Sequence, residues 1–576
     1  MTSHSHGGEL IGSLLRRHGT EHIFTLCGGH ISPILIGAKA NGIRVIDVRH
    51  EATAVFAADA VTRLSDKSGV AAVTAGPGLT NTITAVKNCQ MAQSPVILLG
   101  GATATMLKGR GALQDIDQMA LLKPHVKWAS SVKSVSKIEP ILERAFQIAH
   151  EGVPGPVFVE FPVDMLYPEP VVRKWYGLSS GSSGATLEQS YLNWHLSRLF
   201  RKSRTESSSI GLPSAPPPRQ DHIQDSVRMI QSAKRPLLLV SSQAMLSAAA
   251  VPTLRESLLK IGIPTFLSGT ARGLLSPPDE IFFRHKRSEA LKEADLVILV
   301  GAPFDFRLGY GRKVPLSTKV ISINRSRDDL NLNRKPTVGI AADPSLTLTT
   351  MANIWDESGD RWQAWRKTLK DRESAREVKI TEQSKHESEK INPVALLKAM
   401  DGQLSDKTIL VADGGDFVAT ASYIVSPRGP LAWLDPGPFG TLGVGAGFAL
   451  GAKLCRPDAD VWILYGDGSV AYSLAEFDTF SRHNLPVIGL VGNDAGWSQI
   501  TREQVDIFQD DLATSLSETD YHIAAEGYGG KGFRLESMDN FNEIVSGSLT
   551  ASRVGQPVLI NAILGKTDFR KGSISI

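Results

Sequence analysis

A short apolar run, Val461 to Tyr465, breaks into Gly466-Asp467-Gly468-Ser469 and is followed, one helix and one strand later, by Asn493-Asp494. No other feature constrains this chain as much. Val461 to Tyr465 and Val487 to Val491 have the length and apolar content of buried strands, and Leu474 to His483 between them can form a helix, so the spacing predicts a βαβ unit. Ligands of such units sit beyond the carboxyl ends of the parallel strands, where Asp467 and Asn493-Asp494 fall. Gly466 and Gly468 let the backbone approach a phosphate closely. Magnesium takes one or two hard oxygens from protein and the rest from phosphate and water. Each piece alone is turn composition; together, across a buried strand, they are placed to hold a divalent cation on a diphosphate.

The arrangement resembles the diphosphate-binding motif of thiamine diphosphate enzymes, which runs from Gly-Asp-Gly through a helix to a strand ending in Asn-Asn; here the second Asn is Asp494. The resemblance implies magnesium held by Asp467, by Asn493 or Asp494, and by the carbonyl of Gly496, with the register favouring Asp494. Gly466, Gly468, Ser469 and Trp497 complete the expected diphosphate end. Gly440-Thr441-Leu442-Gly443 is similar to the segment whose bulky apolar residue props the bent cofactor, which makes Leu442 the wedge.

The N-terminal third supplies candidates for the other end of the cofactor. Ile43 to Val48 reads as a buried strand, and Arg49-His50-Glu51 leads into a helical run from Ala52 to Arg63. A first-turn glutamate often only faces the helix dipole. In its Arg-His-Glu-Ala context, however, Glu51 is similar to the family's activating glutamate, which bonds the pyrimidine N1′. Thr74 to Asn81 is similar to the Gly-Pro-Gly loop of the pyrimidine side, bringing in Pro77 and Asn81, and Gly111-Ala112-Leu113-Gln114 to a loop that projects a glutamine, Gln114. His30 follows the strand Ile23 to Leu26 and could face a substrate carbonyl or simply be solvated.

Gly443-Val444-Gly445-Ala446-Gly447 mimics a dinucleotide fingerprint, but the preceding Asp435-Pro436-Gly437-Pro438 is a poor strand and the glycine spacing is wrong. With 576 residues, 42% of them hydrophobic, the chain should form several domains with large cores. Its net charge of +3 lacks a dense Lys/Arg stripe, which argues against nucleic acid. Cys27, Cys89 and Cys455 show no metal spacing and read as reduced core residues. No apolar run reaches membrane-span length, and Met1 to His6 shows no signal-peptide pattern.

The expected fold class is α/β, with three Rossmann-like, doubly wound parallel-sheet domains: a pyrimidine domain at 7–172, a central domain at 222–352 and a diphosphate domain at 392–566. A linker at 173–221, a helical connection at 353–391 and a tail at 567–576 separate or follow them. Within the linker, Tyr191 to Phe200 is amphipathic and basic, suited to packing on a neighbouring domain or to peripheral contact with a membrane. Gly28 to Pro33, Asp413 to Val418, Trp433 to Gly437 and Thr567 to Arg570 carry a resemblance to the acetolactate synthase-like group over nearly the whole chain. It implies a lyase that cleaves a 2-hydroxyacyl-CoA to formyl-CoA and an aldehyde one carbon shorter, as in fatty acid α-oxidation; the alternative is a carboligase of 2-oxo acids. A non-catalytic scaffold is the minor reading, disfavoured by the presence of Glu51 and Asp467. The resemblance further implies a homodimer or tetramer with active sites shared between subunits, and an ADP or vestigial FAD site in the central domain near Asp305-Phe306-Arg307 and Asn324-Arg325. Vertebrate members of the group carry an N-terminal anchor and are associated with the endoplasmic reticulum; without such a segment, a cytosol-facing protein, soluble or peripheral, is expected.

Overall fold

The computed structural model describes residues 6–178, 186–201, 211–356 and 361–572. Parallel strands buried on both faces require continuous apolar runs, and the chain supplies three sets of them. The first sheet contains β1 (His22–Leu26), β2 (Arg44–Asp47), β3 (Val70–Val73), β4 (Ile97–Ala102), β5 (Trp128–Ser131) and β6 (Val157–Pro162), in the order 2-1-3-4-6-5. The second contains β7 (Pro236–Val240), β8 (Thr265–Leu267), β9 (Phe282–Phe283), β10 (Leu296–Val300), β11 (Lys319–Ile323) and β12 (Val338–Ile340), ordered 12-11-10-7-8-9. The third contains β13 (Thr408–Ala412), β14 (Trp433–Leu434), β15 (Asp460–Gly466), β16 (Ile488–Asn493), β17 (Lys531–Leu535) and β18 (Val558–Ile563), ordered 14-13-15-16-18-17. Helices connect the strands, and the ladders flanking each chain reversal are parallel. The three doubly wound domains expected from the sequence are therefore present.

The first and third sheets share one strand order, so each reverses winding at the same place: between β1 and β3, and between β13 and β15. Crevices beyond the carboxyl ends of strands at such switch points are where open α/β sheets bind ligands. The chain divides into two compact units, residues 1–62 with 67–214, and residues 63–66 with 215–576. The first sheet lies in the former, the second and third in the latter.

Part of the linker segment is helical. Leu187–Leu199 is a helix opened by a capping box between Thr186 and Gln189. It buries Leu196 and Leu199 in the core of the first unit, and His195 Nε2 lies 2.9 Å from Thr105 Oγ1. Part of its apolar side thus packs within the first unit, while Leu187, Tyr191 and Trp194 stay exposed. Residues 179–185 and 202–210 of the linker, 357–360 of the helical connection and 573–576 of the tail lie outside the described residues. The stretch expected as one helix from Leu474 to His483 is a 3-10 turn, Leu474–Glu476, running into a helix, Phe477–His483. Cys89 is buried as expected, but Cys27 is exposed, because β1 ends at Leu26 and Cys27 begins the loop beyond it.

Candidate active site

In the first unit the switch point collects the candidates of the pyrimidine side. Glu51 opens the helix Glu51–Leu64 and is only 6% exposed. Asn81 Nδ2 donates to its Oε2 at 2.9 Å. Its Oε1 faces Gly78, where an added Cβ would stand 3.6 Å away. One carboxylate oxygen is thus fixed by an amide, and the other is left at a backbone with no side chain. Pro77 begins a single helical turn, Pro77–Thr80, entered through Gly76 at φ +61°. His30 Nδ1 lies 3.3 Å from Thr74 Oγ1, and burial holds its pKa below the ordinary value. Gln114 is a non-glycine residue at φ +62°, backed against Gly76 so closely that a Cβ there would meet Gln114 Cβ at 2.9 Å. The structure therefore brings Glu51, Asn81 and Pro77 together, and places Gln114 and His30 on the loops packed around them.

In the second unit the residues beyond β13, β15 and β16 line a cavity of about 510 Å³ that includes Leu442, Gly466, Asp467, Gly468, Ser469, Asp494, Gly496 and Trp497. β15 ends at Gly466, and a single helical turn, Asp467–Val470, follows directly. Asp467 Oδ2 accepts the Gly496 N–H at 2.9 Å and Oδ1 the Gly468 N–H at 2.7 Å. A Cβ on Gly468 would lie 2.3 Å from the Trp497 ring, and one on Gly414 would lie 2.2 Å from Leu442 Cδ2. A side chain at either place would push Trp497 or Leu442 aside. The Ser469 hydroxyl is committed to closing the Gly466 turn.

Asn493 and Asp494 are separated by their environment. The Asn493 amide nitrogen lies 3.2 Å from both Thr519 O and Asn561 Oδ1, while its Oδ1 accepts the Ala495 N–H. Its hydrogen-bonding groups thus hold strands and loops together, whereas Asp494 reaches the cavity beside Asp467. Burial raises the pKa of both carboxyls; that of Asp494 is pushed up to about 6, with its Ser498 bond opposing and the charge of Asp467 adding to the rise. Neither pairs with a cationic side chain among the described residues. A buried carboxylate, Asp467, and a half-buried one, Asp494, with the Gly496 backbone beside them, form a hard-oxygen donor set that fits Mg²⁺.

The sequence reading assigns no role to the other lining residues. Asp413, 3% exposed at the end of β13, accepts the Gly443 and Gly445 N–H groups at 2.9 and 2.7 Å and so ties down the segment bearing Leu442. Burial pushes its pKa up to about 7. Asp416 pairs with Arg502. Arg272 comes from the central domain, far away in sequence; it donates to Ser422 O at 2.8 Å and stacks over Trp433. The central-domain residues associated with a nucleotide are engaged with one another. Arg307 pairs with Asp305 and Arg325 with Asp343, while Asn324 Oδ1 accepts from Gln243 and from the Ser326 N–H.

Two clusters thus stand at equivalent switch points, one built around a buried glutamate and one around a carboxylate pair beside a glycine turn. Models of the thiamine pyrophosphate enzyme N-terminal binding domain, central domain and C-terminal binding domain match residues 5–121, 223–351 and 413–562. The chain belongs to this family. It is 50% identical to 2-hydroxyacyl-CoA lyase 2 of Danio rerio, over 99% of this chain and 93% of the relative, and 48% identical to the Homo sapiens protein of the same description, over 99% and 92%. An acetolactate synthase large subunit of Mycobacterium tuberculosis is 33% identical over 85% of this chain and 84% of its own.

Proposed function

We propose that this protein is a thiamine diphosphate- and Mg²⁺-dependent carbon–carbon lyase that cleaves a 2-hydroxyacyl-CoA to formyl-CoA and an aldehyde one carbon shorter, a reaction of the fatty acid α-oxidation type. The observation that carries this reading is the similarity, at 48 to 50% identity along nearly the whole length, to proteins described as 2-hydroxyacyl-CoA lyase 2. When bound, the cofactor supplies a nucleophilic carbon and an electron sink for the cleaved bond.

The chain's residues take the remaining roles. Glu51 holds a proton on Oε1, the oxygen that Asn81 leaves free. Asp467, Asp494 and the Gly496 carbonyl hold the metal and through it the diphosphate, and Asn493 braces the strand end behind them. Leu442, placed by Asp413, would support the cofactor, with Trp497 and the Gly466–Ser469 turn lining the diphosphate end and Pro77 the pyrimidine end. His30, its ring fixed by Thr74, donates a hydrogen bond to the substrate carbonyl oxygen, and Gln114 orients the same group. The working unit is a homodimer or a tetramer, with Glu51 of one copy serving the metal clamp of another. Acetolactate synthase-like carboligation is the second reading, favoured by the 33% identical relative. Incubating the protein with thiamine diphosphate, Mg²⁺ and either a 2-hydroxyacyl-CoA or pyruvate, followed by mass spectrometry, separates them: formyl-CoA and a shortened aldehyde are expected, and acetolactate alone would favour the carboligase.

A further inference from the structure

Three loops carry the candidate residues of the first unit, and one buried side chain lies beneath all three. Gln118 is 2% exposed and opens the helix Gln118–Leu122. Its Oε1 accepts the Gly76 N–H at 3.1 Å. Its Nε2 donates to Gly101 O at 3.0 Å and to Glu160 Oε1 at 3.2 Å. The amide orientation is fixed by its partners, since the reverse would set N–H against N–H and oxygen against oxygen.

Each partner leads to a different part of the half-site. Gly76 begins the turn that carries Pro77 and leads to Asn81, and it stands back to back with Gln114, both at positive φ. Gly101 ends up beneath His30, where a Cβ would meet His30 Cβ at 2.6 Å. Glu160, 1% exposed, has its second oxygen bonded to Ser131 Oγ at 2.7 Å and Lys108 Nζ at 3.2 Å. Lys108 lies in the loop between β4 and Gln114, so the buried carboxylate tethers that loop from its other end. A buried carboxylate is costly unless its bonds are made, which gives this network one low-energy arrangement.

We propose that Gln118 is a positioning residue, which through Gly76 and the Glu160–Lys108 pair sets where the Gln114 loop stands relative to the Pro77–Asn81 turn and to His30. Gln118 itself is buried under the loops and acts only through them. The proposal rests on the reading that Gln114 orients the substrate. Misplacing an orienting group by about 1 Å can cost on the order of a hundredfold in rate.

The test is a double-mutant cycle on the full-length holoenzyme with a 2-hydroxyacyl-CoA, comparing wild type, Gln118→Met, Gln114→Ala and the pair. Methionine keeps the length of the side chain and removes all three hydrogen bonds. Gln118→Met is expected to lower kcat by about tenfold or more, and the loss should largely vanish in the Gln114→Ala background, because there is then no glutamine to misplace. A role in stability alone would lower Tm and multiply through both backgrounds. Lys108→Met, at a side chain 44% exposed, removes the cation facing the buried Glu160 carboxylate, so its Tm is measured alongside; kcat should fall by a smaller factor, about two- to fivefold, again only when Gln114 is present. Independent multiplication of the effects, or unchanged kcat in Gln118→Met and Lys108→Met, overturns the positioning role while Gln114→Ala remains impaired. Full activity of Gln114→Ala overturns the reading of Gln114 itself, and the positioning role with it.

Discussion

At the scale of single residues, Glu51 and Asp467 are the most exposed to test, because each has a task that a near-isosteric change removes. Glu51→Gln keeps the size of the side chain and its position at the start of its helix, but takes away the carboxyl that holds a proton. Cofactor affinity, measured by calorimetry, should stay close to wild type while turnover falls by about 10²- to 10⁴-fold; undiminished turnover would remove Glu51 from the mechanism. For Asp467→Ala the split is opposite. The acceptor of the Gly468 and Gly496 N–H groups is lost, together with a proposed metal ligand, so Mg²⁺-dependent binding of thiamine diphosphate should disappear. Unchanged affinity in the same titration would refute that assignment.

At the scale of elements, residues beyond the strand ends decide both half-sites, and the elements behind them decide stability. His18 caps the helix Gly7–Arg17 and stacks on Phe146 with ring centroids 3.9 Å apart; His22 begins β1. Burial is the largest cause lowering both pKa values from 6.5. The folded chain therefore prefers both rings neutral. Their contribution is fully present above pH 6.5 and is lost as pH falls through the lower folded values, at a slope of at most about 1.4 kcal/mol per pH unit for each ring. Urea unfolding followed from pH 7.5 to 5.5 should show this loss, and His18→Gln should flatten it; an unchanged slope would exclude His18 as a source.

At the scale of the whole molecule, two half-sites occupy equivalent switch points of two sheets with one strand order. If Glu51 of one copy serves the metal clamp of another, two inactive variants must rescue each other. Co-expressed Glu51→Gln and Asp467→Ala chains should recover roughly a quarter of wild-type turnover, since random pairing makes half of the dimers mixed and each mixed dimer holds one intact site. Recovery near zero, with mixed dimers demonstrated by mass, would place both half-sites on one chain.

The local sequence determined the central strands closely, because a strand buried on both faces must be continuously apolar: the runs Ile23 to Leu26 and Val461 to Tyr465 lie within His22–Leu26 and Asp460–Gly466. It also determined the Gly-Asp-Gly turn, whose backbone requirement is local. The register already favoured Asp494 over Asn493; tertiary structure supplied the reason Asn493 turns away from the cavity, its bonds to Thr519 and Asn561, partners no spacing rule connects to it. Only tertiary structure assigned parts to Asp413, Arg272 and Gln118. Each acts through backbone groups or rings brought to it from distant segments by the packing of whole sheets, and a hydrogen bond of that kind leaves no periodicity in the chain. The Gly-Asp-Gly turn could be read from its own residues; the neighbours that shape the space around it could be read only after folding.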